Sequence, residues 1–543
     1  ILQWLFLYEQ HRYINTNMKL NASILFFVQI FSIAISYVHI DILRVTFAMV
    51  TVFILLVCAR KFNLFSSEEI DLMMPRKKKY CAVISEIKEN MLIELFLIFS
   101  LALALRVAPI ILVPHGSGVD QWYWKTYVET LRRDGTLPVK MPQFLLDEGH
   151  WYPPFFPWLL AKIPAIIFDR FSVQLAVCID MLRMSILVCA TWWLTKSEAA
   201  AFIAGTAYAI TPLLITYNLQ LNPRGMGALF LDIMWLLVGA FFLRDAPVWV
   251  WGVIFIFAGL VLITHKMAMQ LFWFTALVGS GLAIDLRLAL LIPGSIIFAM
   301  ILSGGFYRLT MRAHWDTLKF WSRNWNGNGV HPVLESPVYG TAGYESPGKF
   351  YRSGWQAWVR RLQFVVGFNP WMSAVLFIAS IAWYSEHQFS DLEVWVFSWA
   401  MLTFLFALIT TIIPVLRTLG QGYLYGYNGI FPAALILGLT WEDLGAFWYW
   451  RIAVFLACAA CLSALFVFLR ALRTSRTMKI DANLDAAIHR LENLQNGTVM
   501  CLPQHWHDVV AYRTKKSVLF GGHGYGYHLL EPIFPVLRLP VKK

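Results

Sequence analysis

The feature that most constrains this chain is a recurring apolar run of roughly 20 residues, the length that carries an α-helix across a hydrocarbon core. Such runs lie at 22–38, 42–59, 91–113, 173–195, 198–217, 226–243, 249–264, 267–284, 288–304, 364–383, 393–413, 422–440 and 450–469. Composition agrees: 59% of the 543 residues are hydrophobic and 14% are charged, against roughly 45–50% and 25% in soluble domains. The pattern predicts an all-α polytopic membrane protein with about 11–13 transmembrane helices and excludes a string of soluble domains. The net charge of +12 is spread among loops between spans, so it points to anionic lipids or phosphorylated substrates, not to nucleic acid.

The polar material divides the chain. Residues 1–90 read as a transmembrane hairpin followed by a cytoplasmic basic loop that contains Pro75-Arg76-Lys77-Lys78-Lys79. Met18-Lys19 ahead of an apolar stretch reads as a start, with the first span retained and not cleaved. Residues 91–469 read as the main membrane domain, with large loops at 114–172 and 305–363, and residues 470–543 as a small α+β domain. With thirteen spans, both large loops and the tail face one extracytoplasmic compartment: periplasm, exterior or lumen. In the tail a helix is expected at 483–493 and strands at 498–502, 508–512 and 517–520. The seven cysteines make no disulfide framework, and Cys458-x-x-Cys461 reads as helix packing. His505, His507, His523 and His528 have no metal-ligand spacing.

Directly after the span ending near Val113 comes His115-Gly-Ser-Gly-Val-Asp120-Gln121-Trp122, and the loop closes on Asp147-Glu148-Gly-His-Trp-Tyr152-Pro-Pro. Two readings of Asp120 stand side by side. It caps the helix that begins at Gln121, or it faces a cavity at the bilayer surface, where a carboxylate takes a proton from a hydroxyl or holds a divalent cation. Further along, Ile210-Thr211-Pro212 ends a span, Tyr217 and Asn222-Pro223-Arg224-Gly225 open the next, and Arg417 precedes an aromatic, Gly-rich stretch and Phe431-Pro432.

Taken in order, these pieces resemble the GT-C superfamily of integral membrane glycosyltransferases, which use polyprenyl-phosphate-linked sugars; the resemblance spans roughly residues 91–440. It implies a GT-C-like membrane domain and makes Asp120 the catalytic base or a metal-linked carboxylate, with Asp147 and Glu148 as alternative carboxylates. Two departures bear on a divalent cation (Mg or Mn). Many members carry a second acid where this chain has Gln121, and several metal-using members carry an acid where it has Arg224. The Trp-Trp-Asp signature of oligosaccharyltransferases is absent, which argues against transfer to asparagine.

A phosphate leaving group needs positive charge where negative charge builds in the transition state. Arg224, His265, Lys266 and Arg417 each fall at the outer end of a span, on the side of Asp120, where an ionisable group either snorkels or serves a ligand. The loop at 305–363 interleaves eight cations with aromatic residues. It is suited to an acidic or glycan acceptor, with Trp321, Trp325 and Arg352 joining Trp122 and Tyr152 as candidate sugar or acceptor contacts. The expected partners are therefore a polyprenyl-phosphate-linked sugar, a glycan, lipid or protein acceptor, membrane lipids and, in one reading, a protein complex. The expected activity is inverting transfer of a sugar to an extracytoplasmic acceptor. The alternatives are a polymerase or ligase using lipid diphosphate-linked glycans and a non-enzymatic transporter or assembly subunit.

Overall fold

The computed structural model describes residues 89–112, 120–137, 140–145, 150–243, 246–323, 355–385, 388–420, 422–474, 482–495, 497–499, 501 and 506–519. The first helix, α1 (Glu89–Leu112), leads to α2 (Asp120–Asp134) and the short α3 (Phe155–Ala161). Next come α4 (Ala165–Thr195), α5 (Glu198–Ala209), α6 (Pro212–Tyr217), α7 (Arg224–Leu243), α8 (Val250–Leu262), α9 (Lys266–Ala283) and α10 (Leu286–Leu302). The second large loop supplies α11 (Tyr307–Arg323) and α12 (Trp355–Phe368), followed by α13 (Trp371–Ser385) and α14 (Asp391–Ile412). Two 3₁₀ turns, Pro414–Leu419 and Gly422–Tyr425, precede α15 (Gly426–Leu439), α16 (Trp441–Leu444) and α17 (Trp448–Thr474). The tail holds α18 (Ala482–Glu492), β1 (Thr498–Val499), α19 (His507–Thr514) and β2 (Ser517–Val518). The expected hairpin at 22–59 and its basic loop lie outside the described residues.

Five of the described helices, α1, α4, α7, α14 and α17, are long and apolar enough to cross a bilayer. Several helix starts carry local signals. The Ser197 hydroxyl accepts from the Ala200 amide to start α5, Asp285 caps α10, and Ser390 with Glu393 forms a capping box on α14. The core lies where α4, α5, α7, α9, α14 and α15 meet. There Gly438 lets α15 sit against its neighbours, since a Cβ at that position would come within 2.6 Å of Thr191 and 2.9 Å of the Ala200 carbonyl.

Several apolar runs that read as single spans are broken. The run 198–217 divides between α5 and α6 because Pro212 has no amide to continue the ladder. The run 364–383 divides at Asn369-Pro370 into α12 and α13, bent by 90°. The run 422–440 begins as a 3₁₀ turn, and α4 starts at Ala165, eight residues ahead of its expected start.

The tail is a correction of a different kind. Residues 508–512, expected as a strand, belong to helix α19, because burying Val509, Val510 and Ala511 against α2 outweighs the β-preference of the two valines. Lys515, at φ 56°, ends that helix. β1 and β2 pair in parallel, Thr498 with Ser517 and Val499 with Val518. The Val518 amide also donates to the Gln143 carbonyl at 2.7 Å, joining the tail to the first loop. The two share one core of Tyr123, Trp124, Tyr127, Phe144, Tyr152, Phe156, Ile488, Val509 and Val518.

Candidate functional site

Three helix N-termini converge at one end of the membrane core, and each begins with a charged residue: Asp120 on α2, Arg224 on α7 and Lys266 on α9. The connection before α7 is shaped by Asn222. Its Oδ1 accepts from the Arg224 amide at 2.9 Å while its Nδ2 donates to the Tyr217 and Gln220 carbonyls. The Arg224 guanidinium then lies 4.4 Å from the centre of the Tyr217 ring, and the Tyr217 hydroxyl meets that of Tyr423 at 3.0 Å. Arg224 is 8% exposed, and its Nε and Nη1 are buried with no hydrogen-bond partner among the described residues.

Lys266 sits within Coulombic reach of both Asp120 and Arg224. Its ammonium is 6.0 Å from the Tyr152 ring centre, and it makes no hydrogen bond or ion pair among the described residues. Two contacts fix its place. The Phe155 amide donates to the Ile263 carbonyl at 2.9 Å, which brings Tyr-Pro-Pro beside His265 and Lys266. Gly227 lets α7 close on α9, because a Cβ there would lie 2.7 Å from that of His265. Gln220 donates to Asp120 Oδ2 at 3.4 Å, reaching across from the loop before α7.

A buried chain flanks this cluster. The Tyr425 hydroxyl lies 2.5 Å from Gln270 Oε1 and 2.9 Å from the Leu419 carbonyl, and Gln270 Nε2 lies 3.2 Å from His314 Nε2. One hydroxyl proton cannot serve two acceptors. Turning the amide over gives each of these three contacts one donor and one acceptor: Tyr425 donates to Leu419, Gln270 donates to Tyr425, and His314 Nε2–H donates to Gln270. Burial, with Lys266 nearby, lowers the His314 pKa to about 4, so the imidazole is neutral. Gln270 stands one turn beyond Lys266 on α9, so the chain links that helix to α11 and to the 3₁₀ turn bearing Arg417.

Beneath the site are two buried ion pairs. Arg183 pairs with Asp232 and donates to the carbonyls of Tyr427 at 3.1 Å and Asn428 at 3.4 Å. Asp180 does not pair with Arg183, although spacing on one helix makes it the obvious partner. Its carboxylate turns to Arg106 on α1 and accepts from the Tyr208 hydroxyl at 2.7 Å. Arg106 in turn donates to the Ala209 carbonyl at 2.9 Å, at the break before Pro212. Each pair thus grips the backbone of a joint that presents site residues: Tyr217 after one, Tyr423 and Tyr425 before the other.

The sequence-derived set is therefore brought together in Asp120, Arg224, His265, Lys266 and Tyr152. Trp122 faces the tail, its ring 5.5 Å from Tyr512. Trp321 packs edge-on to Phe320 at 5.0 Å. Arg417 is placed by its backbone in the 3₁₀ turn. Asp147, Glu148, Trp325 and Arg352 lie outside the described residues. Sequence reading missed Gln270, His314 and Tyr423; the signal for Gln270 was its position four residues after Lys266 on one helix face. Among the described residues no three His, Cys, Asp or Glu side chains converge on a metal position. Asp120 is the one carboxylate among them that reaches Lys266, and two cations beside one carboxylate form a better anion site than dication site.

No protein-family model and no curated protein matches the sequence. Solved structures do. ArnT from Cupriavidus metallidurans bound to undecaprenyl phosphate is similar at 13% identity and a TM-score of 0.51, over 82% of this chain and 89% of that one. Its apo state gives the same values. An oligosaccharyltransferase from Archaeoglobus fulgidus, in complex with zinc and sulfate, aligns at 14% identity and a TM-score of 0.44 over 78% and 62% of the two chains. The chain shares its fold with ArnT. The chain is a multi-pass integral membrane protein of that architecture.

Proposed function

We propose that this protein transfers a sugar from a polyprenyl-phosphate donor to an acceptor hydroxyl on the extracytoplasmic side, with inversion at the anomeric carbon. The observation that carries this reading is the buried Arg224 guanidinium, with two N–H groups that have no partner among the described residues, beside Lys266 at a second helix N-terminus. Helix N-termini and free cations together make a phosphate site. ArnT, with the same fold, binds undecaprenyl phosphate.

In this mechanism the Asp120 carboxylate takes the proton of the acceptor hydroxyl as its oxygen bonds to the anomeric carbon. The bond from that carbon to the phosphate oxygen breaks, and its electron pair leaves on the polyprenyl phosphate, whose charge Arg224 and Lys266 neutralise. Tyr217 and Tyr152 are the aromatic rings beside these two cations. No step is routed through a metal ion.

The test is transfer from a radiolabelled polyprenyl-phosphate sugar by the purified full-length chain. Asp120→Asn lowers the rate by about 10²–10⁴-fold, the usual range for a lost general base. Equal turnover by the variant and the wild type would remove Asp120 from the chemistry, and consumption of a diphosphate-linked donor alone would replace the donor class.

A further inference from the structure

Helix α11 has two faces of opposite character. The inner face buries Tyr307, Thr310, His314, Thr317 and Phe320. It is fastened to the site's surroundings, with the Thr310 hydroxyl donating to the Trp151 carbonyl at 2.9 Å and His314 meeting Gln270. The outer face exposes Arg308, Arg312, Trp315 and Lys319. Their spacings of four, three and four residues make one stripe along a helix. Trp315 is 61% exposed, and the Lys319 ammonium lies 5.8 Å from its ring centre. None of the three cations forms an ion pair among the described residues, and Asp316, half-buried on the flank, is the single acid of the helix.

The chain leading into α11 sets its depth. At the end of α10 the side chains of Ile297, Ile301 and Leu302 point outward, the apolar surface a bilayer would cover. Five residues after Leu302 α11 begins, once Gly304 and Gly305 have turned the backbone with φ of 57° and 88°. Arg308 therefore stands within two helical turns of the last lipid-facing residues, where phosphate headgroups begin. A row of cations with a tryptophan at that depth suits anionic headgroups. An acidic glycan in the aqueous phase would need no such alignment with the end of α10.

We infer that the stripe Arg308, Arg312, Trp315 and Lys319 binds the anionic phospholipid headgroups of the surrounding leaflet and so seats α11, whose other face adjoins the Lys266 region, at the membrane surface.

The experiment titrates the full-length protein in detergent with short-chain phosphatidylglycerol and phosphatidylcholine and counts bound lipids by native mass spectrometry. The wild type prefers phosphatidylglycerol. Arg308→Gln, Arg312→Gln and Lys319→Gln each reduce that preference by about fivefold, as expected for one cation at an anionic surface. Raising the salt concentration lowers the wild-type preference in the same direction, which keeps the proposal testable should the combined variant be unstable. An unchanged preference in the combined variant, or a wild-type preference insensitive to salt, overturns it. So does binding of a heparin-derived oligosaccharide that depends on the stripe while phosphatidylglycerol binding does not.

Discussion

Arg183 and Arg224 are buried guanidinium groups on neighbouring helices, yet one is saturated with partners and the other is not. Arg183 is held by Asp232 and two backbone carbonyls, whereas the Nε and Nη1 groups of Arg224 have the face of Tyr217 nearby and no acceptor among the described residues. Keeping a charge out of water costs several kcal/mol, which partners must offset. A saturated cation therefore organises the protein, and an unsaturated one is retained for something that arrives later. Arg106 stands between the two: it pairs with Asp180 and donates to the Ala102 and Ala209 carbonyls, while its Nη2 has no partner among the described residues.

The contrast breaks most visibly at Arg183. Arg183→Met leaves Asp232 without its cation, and unfolding in detergent should show a loss of about 3–5 kcal/mol. Adding Asp232→Leu should return most of that stability while transfer stays low, because the Tyr427 and Asn428 carbonyls have lost their anchor. Full transfer by that double variant would reduce the pair to a packing element. Arg224→Gln should behave in the opposite way. The unfolding midpoint stays level or rises, while kcat/KM with a polyprenyl-phosphate donor falls about 10²–10³-fold, as when a donor to a developing oxyanion is lost. A large drop in midpoint would mean that Arg224 is structural after all.

His314 sharpens the comparison from the neutral side. Its pKa, lowered from 6.5 to about 4 by burial and by Lys266, means that the folded protein resists binding a proton that the unfolded chain accepts. The fold has the full benefit above pH 6.5 and loses it as the pH falls toward 4, amounting to about 2 kcal/mol by pH 5. His314→Gln, which keeps an amide near Nε2, should flatten that acid limb in a stability-versus-pH titration. An unaltered limb would assign the acid sensitivity to another group.

Much of this site was legible because a charge in an apolar sequence is conspicuous. Asp120, Arg224 and Lys266 stand at helix starts, and such positions can be read from hydropathy alone. Partnership was legible in part: Arg183 and Asp232, two buried charges within spans, read as a structural pair and do pair, but the place of Asp180 was harder to read. Asp180 and Arg183 are three residues apart on α4, and short spacing favours pairing them, but Asp180 turns to α1 and Arg183 to α7; the choice is made by helices 74 and 49 residues away in sequence. The break at Pro212 was signalled by the proline that ends a span there, whereas the one at Asn369-Pro370 was hidden for a related reason. Hydropathy passes through a break unchanged, because membrane-depth joints stay apolar and satisfy their backbone internally. In the tail, Val509 and Val510 carry a β-preference that tertiary packing overrules.

The pairing of Val518 with Gln143 and Phe144 has a bearing on how the protein is made. Helix α2, which begins with Asp120, leaves the ribosome early, but the layer that covers it is encoded hundreds of residues downstream. Contacts of such long sequence separation form late. The face of α2 that meets the tail, Trp122 and Lys125 against Tyr512, therefore waits uncovered through the synthesis of every span that follows, and is closed only once the tail has been translated.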